Sequence, residues 1–375
     1  MMKKIFLLFV FGSIILGCSS SDSSDDTPPT PPTTSFQRSE LLINWADNII
    51  IPSYEAFQTS LSSLQTAFDN FNTTADEANL IALRNAWRDA YFAWQRVSMF
   101  EIGPAENVDY RLNINIYPAD VTQIQQNITS GNADLSLPSN RDAKGFPALD
   151  YLINGLAADD TAIVARFNDG AAGINLLNYT GSLIADMVTL TNGVLQEWTG
   201  NFRDSFVAND GSSATASVDR YVNDYILYYE RFLRAGKVGI PAGVFSASLN
   251  PQNLEAFYKG DISNQLCLEA LDAVQDFFNG ISFNSTTNGI GLDDYLNTLG
   301  VESGGQQLSS LINNQYNTAR NMINGLDSFQ EELQNSPPVQ LLLAYDELQR
   351  IVPLIKVDML SALNINVDFQ DADGD

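Results

Sequence analysis

The chain contains no histidine in 375 residues. Without an imidazole it cannot supply a Ser-His-Asp or Cys-His nucleophile system, an HExxH zinc site, a proximal haem ligand or a histidine pH switch. Chemistry is left to carboxylates, Lys, Arg, Tyr, Ser and Thr. Positive charge is also scarce: 19 Lys and Arg face 45 Asp and Glu, a net charge of −26 and a pI near 4.1. Nucleic acid is excluded as a partner, because no cationic surplus exists to release counterions from a phosphate backbone. Long apolar runs are missing too, and the longest, Ile5 to Leu16, is too short to span a bilayer. Cysteine is limited to Cys18 and Cys267.

That short apolar run follows Lys3 and Lys4 and ends in Ile15-Leu16-Gly17-Cys18, the layout of an export signal. Its end resembles the lipobox of bacterial lipoproteins, so residues 1–17 are expected to be removed and Cys18 to be acylated. Cleavage would take away two lysines and no acid, leaving 17 basic against 45 acidic residues, or −28. Residues 18–35 are rich in Ser, Asp, Pro and Thr and hold no large apolar side chain. They read as a disordered tether that holds the folded part off the membrane. Cys267, flanked by Leu266 and Leu268, then has no disulfide partner and reads as a small buried apolar residue.

From Phe36 onward the period is helical. Leu80, Leu83, Trp87, Tyr91, Trp94, Val97 and Glu101 recur at steps of three and four, as do Leu308, Ile312, Tyr316, Ala319 and Ile323. Val218, Tyr221, Val222, Tyr225, Tyr229, Phe232 and Leu233 make a third stripe. Sustained alternation of the strand type is nearly absent, so the fold class is all-α, with helices packed as antiparallel bundles. The spacing predicts helices near 37–70, 75–101, 119–129, 147–156, 159–197, 215–237, 251–278, 305–334 and 339–363. Prolines 52 and 353 are expected to kink or break the first and last. Residues 103–118 and 236–250 are left as long irregular segments, the kind that often carries function.

Several runs occur in the order seen in imelysin-like proteins. They are Phe100-Glu101-Ile102-Gly103-Pro104-Ala105-Glu106, Asn115-Ile116-Tyr117-Pro118-Ala119-Asp120, Lys144-Gly145-Phe146-Pro147-Ala148-Leu149-Asp150-Tyr151 and Tyr229-Glu230-Arg231-Phe232-Leu233-Arg234-Ala235-Gly236-Lys237. The acidic end Asp371-Ala372-Asp373-Gly374-Asp375 is similar as well. The resemblance implies two packed four-helix-bundle-like domains, divided here as 36–200 and 201–375, with a functional site in the cleft between them. It also implies an envelope location, an association with iron acquisition and, from the family name, a peptidase activity. The family's G-x-H-x-x-E motif aligns with Gly145, Pro147 and Asp150. Proline has no donor atom for a metal, so a metal-dependent hydrolase built on this motif is incomplete here.

Five residues stand out as ligand or metal candidates. Glu101 ends a buried stripe, where a carboxylate needs a cation, hydrogen bonds or a proton; its alternative is a cap beyond the helix end. Asp150 is the acid of the motif, and it equally suits a first helical turn after Pro147. Tyr151 is its hydrogen-bonding neighbour in sequence. Arg231 and Arg234 either reach the cleft to pair with Glu101 or Asp150, or belong with Glu230 and Lys237 to a solvated helix face. No residue is assigned a catalytic role. Oxygen ligands could hold iron or calcium without histidine, and no haem ligand is available. The expected protein is a lipid-anchored protein of the outer membrane, on its periplasmic or cell-surface side, that binds a small ligand or metal ion and has an uptake partner there. A metallopeptidase and a structural interaction module are the alternatives.

Overall fold

The helical stripes seen in the sequence become the buried faces of a helical fold, described in a computed structural model for residues 36–369. The expected signal segment, Cys18, the tether and the acidic tail at 371–375 lie outside the described residues.

The first helix, α1 (38–73), runs through Pro52 instead of breaking there. The turns just before it, Asn44–Ile50, widen to π-helical geometry. The carbonyl of Asn48, which an N–H at position 52 would have met, accepts the N–H of Phe283 at 2.8 Å. The missing donor is thus replaced from another part of the chain. Helix α2 (Glu77–Gln95) is N-capped by Asp76, whose side chain accepts the Asn79 N–H, and it stops six residues short of Glu101. Next come the short α3 (Tyr110–Ile114), α4 (Val121–Ser130), α5 (145–155) and α6 (Asp160–Phe167). The long helix expected at 159–197 is instead two, because Gly170 adopts φ +50 and α7 (Gly170–Glu197) starts afresh. A π-helical turn, Trp198–Phe202, leads into α8 (Arg203–Ala208).

Helix α9 (217–239) is regular to Leu227 and π-helical from Tyr228 to Gly239. The helix expected at 251–278 begins only at Ser263, as α10 (Ser263–Phe278), and residues 254–262 form a loop. Helix α11 (Leu292–Leu299) follows, then a two-stranded antiparallel ribbon pairing Glu302 with Gln307 and Ser303 with Gln306. Helices α12 (Leu308–Asn324), α13 (Phe329–Glu332) and α14 (339–363) complete the described residues, and α14 also passes through its proline in a π-helical stretch.

Two helical layers result. Helices α1, α2 and α7 pack together, with α4, α5 and α6 against α7, while α9, α10, α12 and α14 form the second group. Helix α10 also packs on α2. Aromatic contacts tie the groups: Trp45 stacks on Phe277 at 4.6 Å and meets Tyr221 edge-on at 5.3 Å. Residues 36–369 lie in one compact unit. Among them, no helix is long and apolar enough to cross a membrane.

Candidate functional site

Gly145 opens α5 with φ +70, and a Cβ there would sit 2.0 Å from the carbonyl oxygen of Ile114, so only glycine fits. This close approach brings the start of α5 under the 115–119 segment. Pro147 follows in the first turn, and Asp150 is 1% exposed. Asp150 does not face solvent as a first-turn acid would. Its Oδ2 accepts the N–H of Tyr258 at 2.8 Å, and its Oδ1 accepts the N–H of Lys259 at 3.0 Å and Asn154 Nδ2 at 3.0 Å. Burial nevertheless outweighs these donors and pushes its carboxyl up to about 7. Asp150 is therefore the clasp by which α5 holds the 254–262 loop.

The same loop is held from its other side by Glu255. This carboxylate pairs with Lys237 and accepts Asn115 Nδ2 at 2.8 Å and Gln95 Nε2 at 3.2 Å. Lys237 also donates to Gln95 Oε1 at 2.7 Å, and Tyr91 donates to Asn115 Oδ1 at 2.6 Å. Lys237 and Glu255 side chains are 4% and 1% exposed, so this is an ion pair in a dry interior. Burial alone would lower the lysine; the neighbouring Glu255 carboxylate reverses that and leaves it raised. Between the two clasps Ala256 is left-handed, φ 55. A non-glycine residue in that region costs about 1–3 kcal/mol, which the anchoring on both sides can hold.

Clasped loop and α5 enclose a cavity of about 240 Å³. Tyr117, Pro147 and Asp150 line one side, and Gln252, Leu254 and Tyr258 the other. The walls are largely apolar, with Asp150, Gln252 and the two tyrosines as the polar residues among them, the usual make-up of a small-molecule pocket. Tyr151 stands beside it, its ring 5.2 Å from Tyr258 and its hydroxyl accepting Gln125 Nε2 at 2.9 Å.

Glu101 lies elsewhere, beyond the end of α2. Its Oε2 accepts the Arg111 N–H at 2.8 Å, and its own N–H donates to Asp224 Oδ2 at 3.0 Å. Arg111 bonds Asp224 at 3.3 Å, donates to the Ser98 carbonyl at 2.7 Å, and lies 4.4 Å from the Phe232 ring centroid. Burial first, and then Asp224 close by, push the Glu101 carboxyl up to about 7 against the pull of Arg111.

The two candidate acids therefore sit in different places, and neither meets the candidate arginines. Arg231 is exposed, with its guanidinium 5.8 Å from the Phe232 ring. Arg234 is buried against α14, where it donates to Tyr345 Oη at 2.7 Å and to Gln349. Glu230 is buried as well and pairs with Lys356 at 3.1 Å. The solvated face expected for Glu230, Arg234 and Lys237 is thus interior, because the π-helical register of α9 turns all three toward packed neighbours. The sequence reading missed Arg111, Asp224, Gln95 and Glu255. Only Lys237 carried a signal, as the end of a family-like run.

A metal does not fit the motif positions. Pro147 offers no donor, and both oxygens of Asp150 are committed to N–H groups. Among the described residues, no group of three or more Cys, Asp or Glu is placed to hold an ion.

A family model described as Imelysin matches residues 50–352. The chain is similar to iron-regulated protein A of the cyanobacterium Synechococcus elongatus, at 25% identity over 121 residues, covering 32% of this chain and 33% of that protein. The match thus spans about a third of the curated relative's length. Two crystal structures share the fold at a TM-score of 0.68. One is a candidate iron-regulated protein A precursor from Parabacteroides distasonis, 15% identical, with 89% of this chain and 97% of that one covered. The other is an imelysin-like protein from Psychrobacter arcticum, 17% identical, with 89% and 99% covered.

Proposed function

The chain belongs to the imelysin family, and from that premise we propose that it is a lipid-anchored, non-enzymatic protein of the bacterial envelope that binds a small ligand in the Tyr117–Pro147–Gln252 cavity. The observation that carries this reading is the double clasp. Asp150 and Glu255 hold one wall of the cavity from opposite sides, so the pocket is pre-formed and a ligand need not supply its ordering entropy. The motif position itself is spent on holding that wall. We take the helices before and after residue 200 as the two bundles, and Cys18 as the anchor. The iron or metal link rests on the name of the cyanobacterial relative, iron-regulated protein A.

The metallopeptidase reading is weaker, because the residues at the motif offer neither a metal donor set nor a free general base. The test is mass spectrometry of the intact full-length protein under non-denaturing conditions, isolated from iron-starved cells, beside a casein-cleavage assay with and without zinc and chelator. The expected result is a co-purifying small molecule that Gln252→Ala loses, and no cleavage. Zinc-dependent cleavage would overturn the reading, as would a bare mass in every preparation.

A further inference from the structure

A second candidate site lies around Glu101. Two adjoining concavities share Ile102, Glu106 and Arg220. The first, about 190 Å³, is lined by Glu101, Asp224 and Asp368 besides the shared residues. The second, about 270 Å³, has Phe202 and Phe206 in its walls. Gly103 makes that wall possible: at φ +54, a Cβ would fall 2.0 Å from the tip of the Phe202 ring, so glycine lets the ring reach the backbone. The groove therefore has an acidic end and an aromatic end. Arg220 stands between them, neutralised by Glu106, whose two oxygens it bonds at 2.8 Å each.

The hydrogen bonds decide which kind of cation this groove suits. Asp224 is taken up by Arg111 and the Glu101 N–H, and Glu106 by Arg220. The oxygens left over are Glu101 Oε1, whose partner oxygen already holds the Arg111 N–H, and those of Asp368. Calcium seeks about six to eight oxygens, so it is poorly served here. A primary ammonium has three donors and needs no closed shell, and an aromatic wall favours a cation with an apolar body.

We propose that this groove binds an organic cation, with its ammonium at Glu101 and Asp368 and its apolar or aromatic body against Phe202 and Phe206. The site is separate from the Tyr117 cavity and does not depend on it. The charged and titratable groups around Glu101 are Arg111, Asp109, Asp224, Glu106, Arg220, Asp368, Tyr54 and Tyr110. Burial, helped by Asp224 and Asp109, holds the Glu101 carboxyl up at about 7 against Arg111. A bound cation reverses that pressure and releases a proton.

Calorimetry of the full-length protein with phenethylammonium chloride tests this, with phenethyl alcohol, methylammonium and calcium chloride as comparisons. The expected result is saturable binding of phenethylammonium, weaker binding of methylammonium, none of the alcohol, and proton release near pH 7 seen as a buffer-dependent heat. Affinity should rise about tenfold from pH 6 to pH 8, as Glu101 loses its proton, and be flat in Glu101→Gln. Asp368→Asn, near the end of the described chain, should weaken binding several-fold, and it serves if the Glu101 variant does not fold. Equal binding of the uncharged alcohol, calcium competing at equal concentration, or an unchanged affinity in both variants would overturn the proposal.

Discussion

Asp150, buried, and Glu101, half-buried, are carboxyls whose pKa rises to the same level, about 7, from the same first cause, loss of water. They differ in what surrounds them. Both oxygens of Asp150 are saturated by fixed N–H groups from its own helix and from the loop it holds. Glu101 gives one oxygen to a backbone N–H and leaves the other without a hydrogen bond among the described residues, and it lines a groove shared with Asp224 and Asp368. A raised pKa therefore marks burial and does not by itself mark a site. What separates a structural clasp from a binding group is whether the acceptor capacity is spent.

The strongest way to break the clasped region is to remove Lys237. Lys237→Met leaves Glu255, 1% exposed, without its cation. Stranding one member of a buried pair costs about 3–5 kcal/mol. Urea unfolding should show that loss, and adding Glu255→Gln to the same chain should recover part of it. An unchanged midpoint for Lys237→Met would mean that the pair contributes nothing to holding the loop.

Asp150→Ala should come next. It orphans the N–H groups of Tyr258 and Lys259 and the Asn154 amide in a dry place, for a loss of about 2–4 kcal/mol. The effect should be local first: hydrogen exchange at Tyr258 and Lys259 should speed up well before exchange in α2 or α7 changes. Uniform acceleration across the helices would show that Asp150 supports the whole fold and not one wall of a cavity.

The helices were legible because burial enforces a period. Leu80, Leu83, Trp87, Tyr91, Trp94 and Val97 are all at most 1% exposed, as their spacing required. Their ends were less so: the stripe runs on past Gln95, where α2 stops, and Glu101 reached a polar hub from a turn instead of a helix face. The motif showed Gly145 and the loss of a metal donor at Pro147, since both follow from the residue type. The partners stayed hidden because they are far apart in the chain. Arg111 and Asp224 are separated by 113 residues, and Asp150 and Lys259 by 109. Lys237 misled because an i,i+4 reading assumes a regular helix, and the π-helical stretch of α9 shifts the face.

The smallest effect, and the one that sharpens the contrast most, is expected from Glu101→Gln. The new side chain keeps an oxygen for the Arg111 N–H, so no donor is orphaned, and the other position has no hydrogen bond to lose among the described residues. With the folded pKa raised from 4.5 to about 7, the folded state holds its proton more tightly than the unfolded chain. The stability linked to this group is fully present below 4.5 and is lost as pH rises through about 7. The amide is a permanent stand-in for the protonated form. At acid pH near 4.5 the variant should match the parent within about 0.5 kcal/mol. At pH 8 it should be the more stable of the two, because it has no charge to bury beside Asp224. Thermal melts at both pH values decide it. A variant that is less stable than the parent at pH 8 would show that the Glu101 charge is held by Arg111 after all, and that Glu101, like Asp150, is spent on structure.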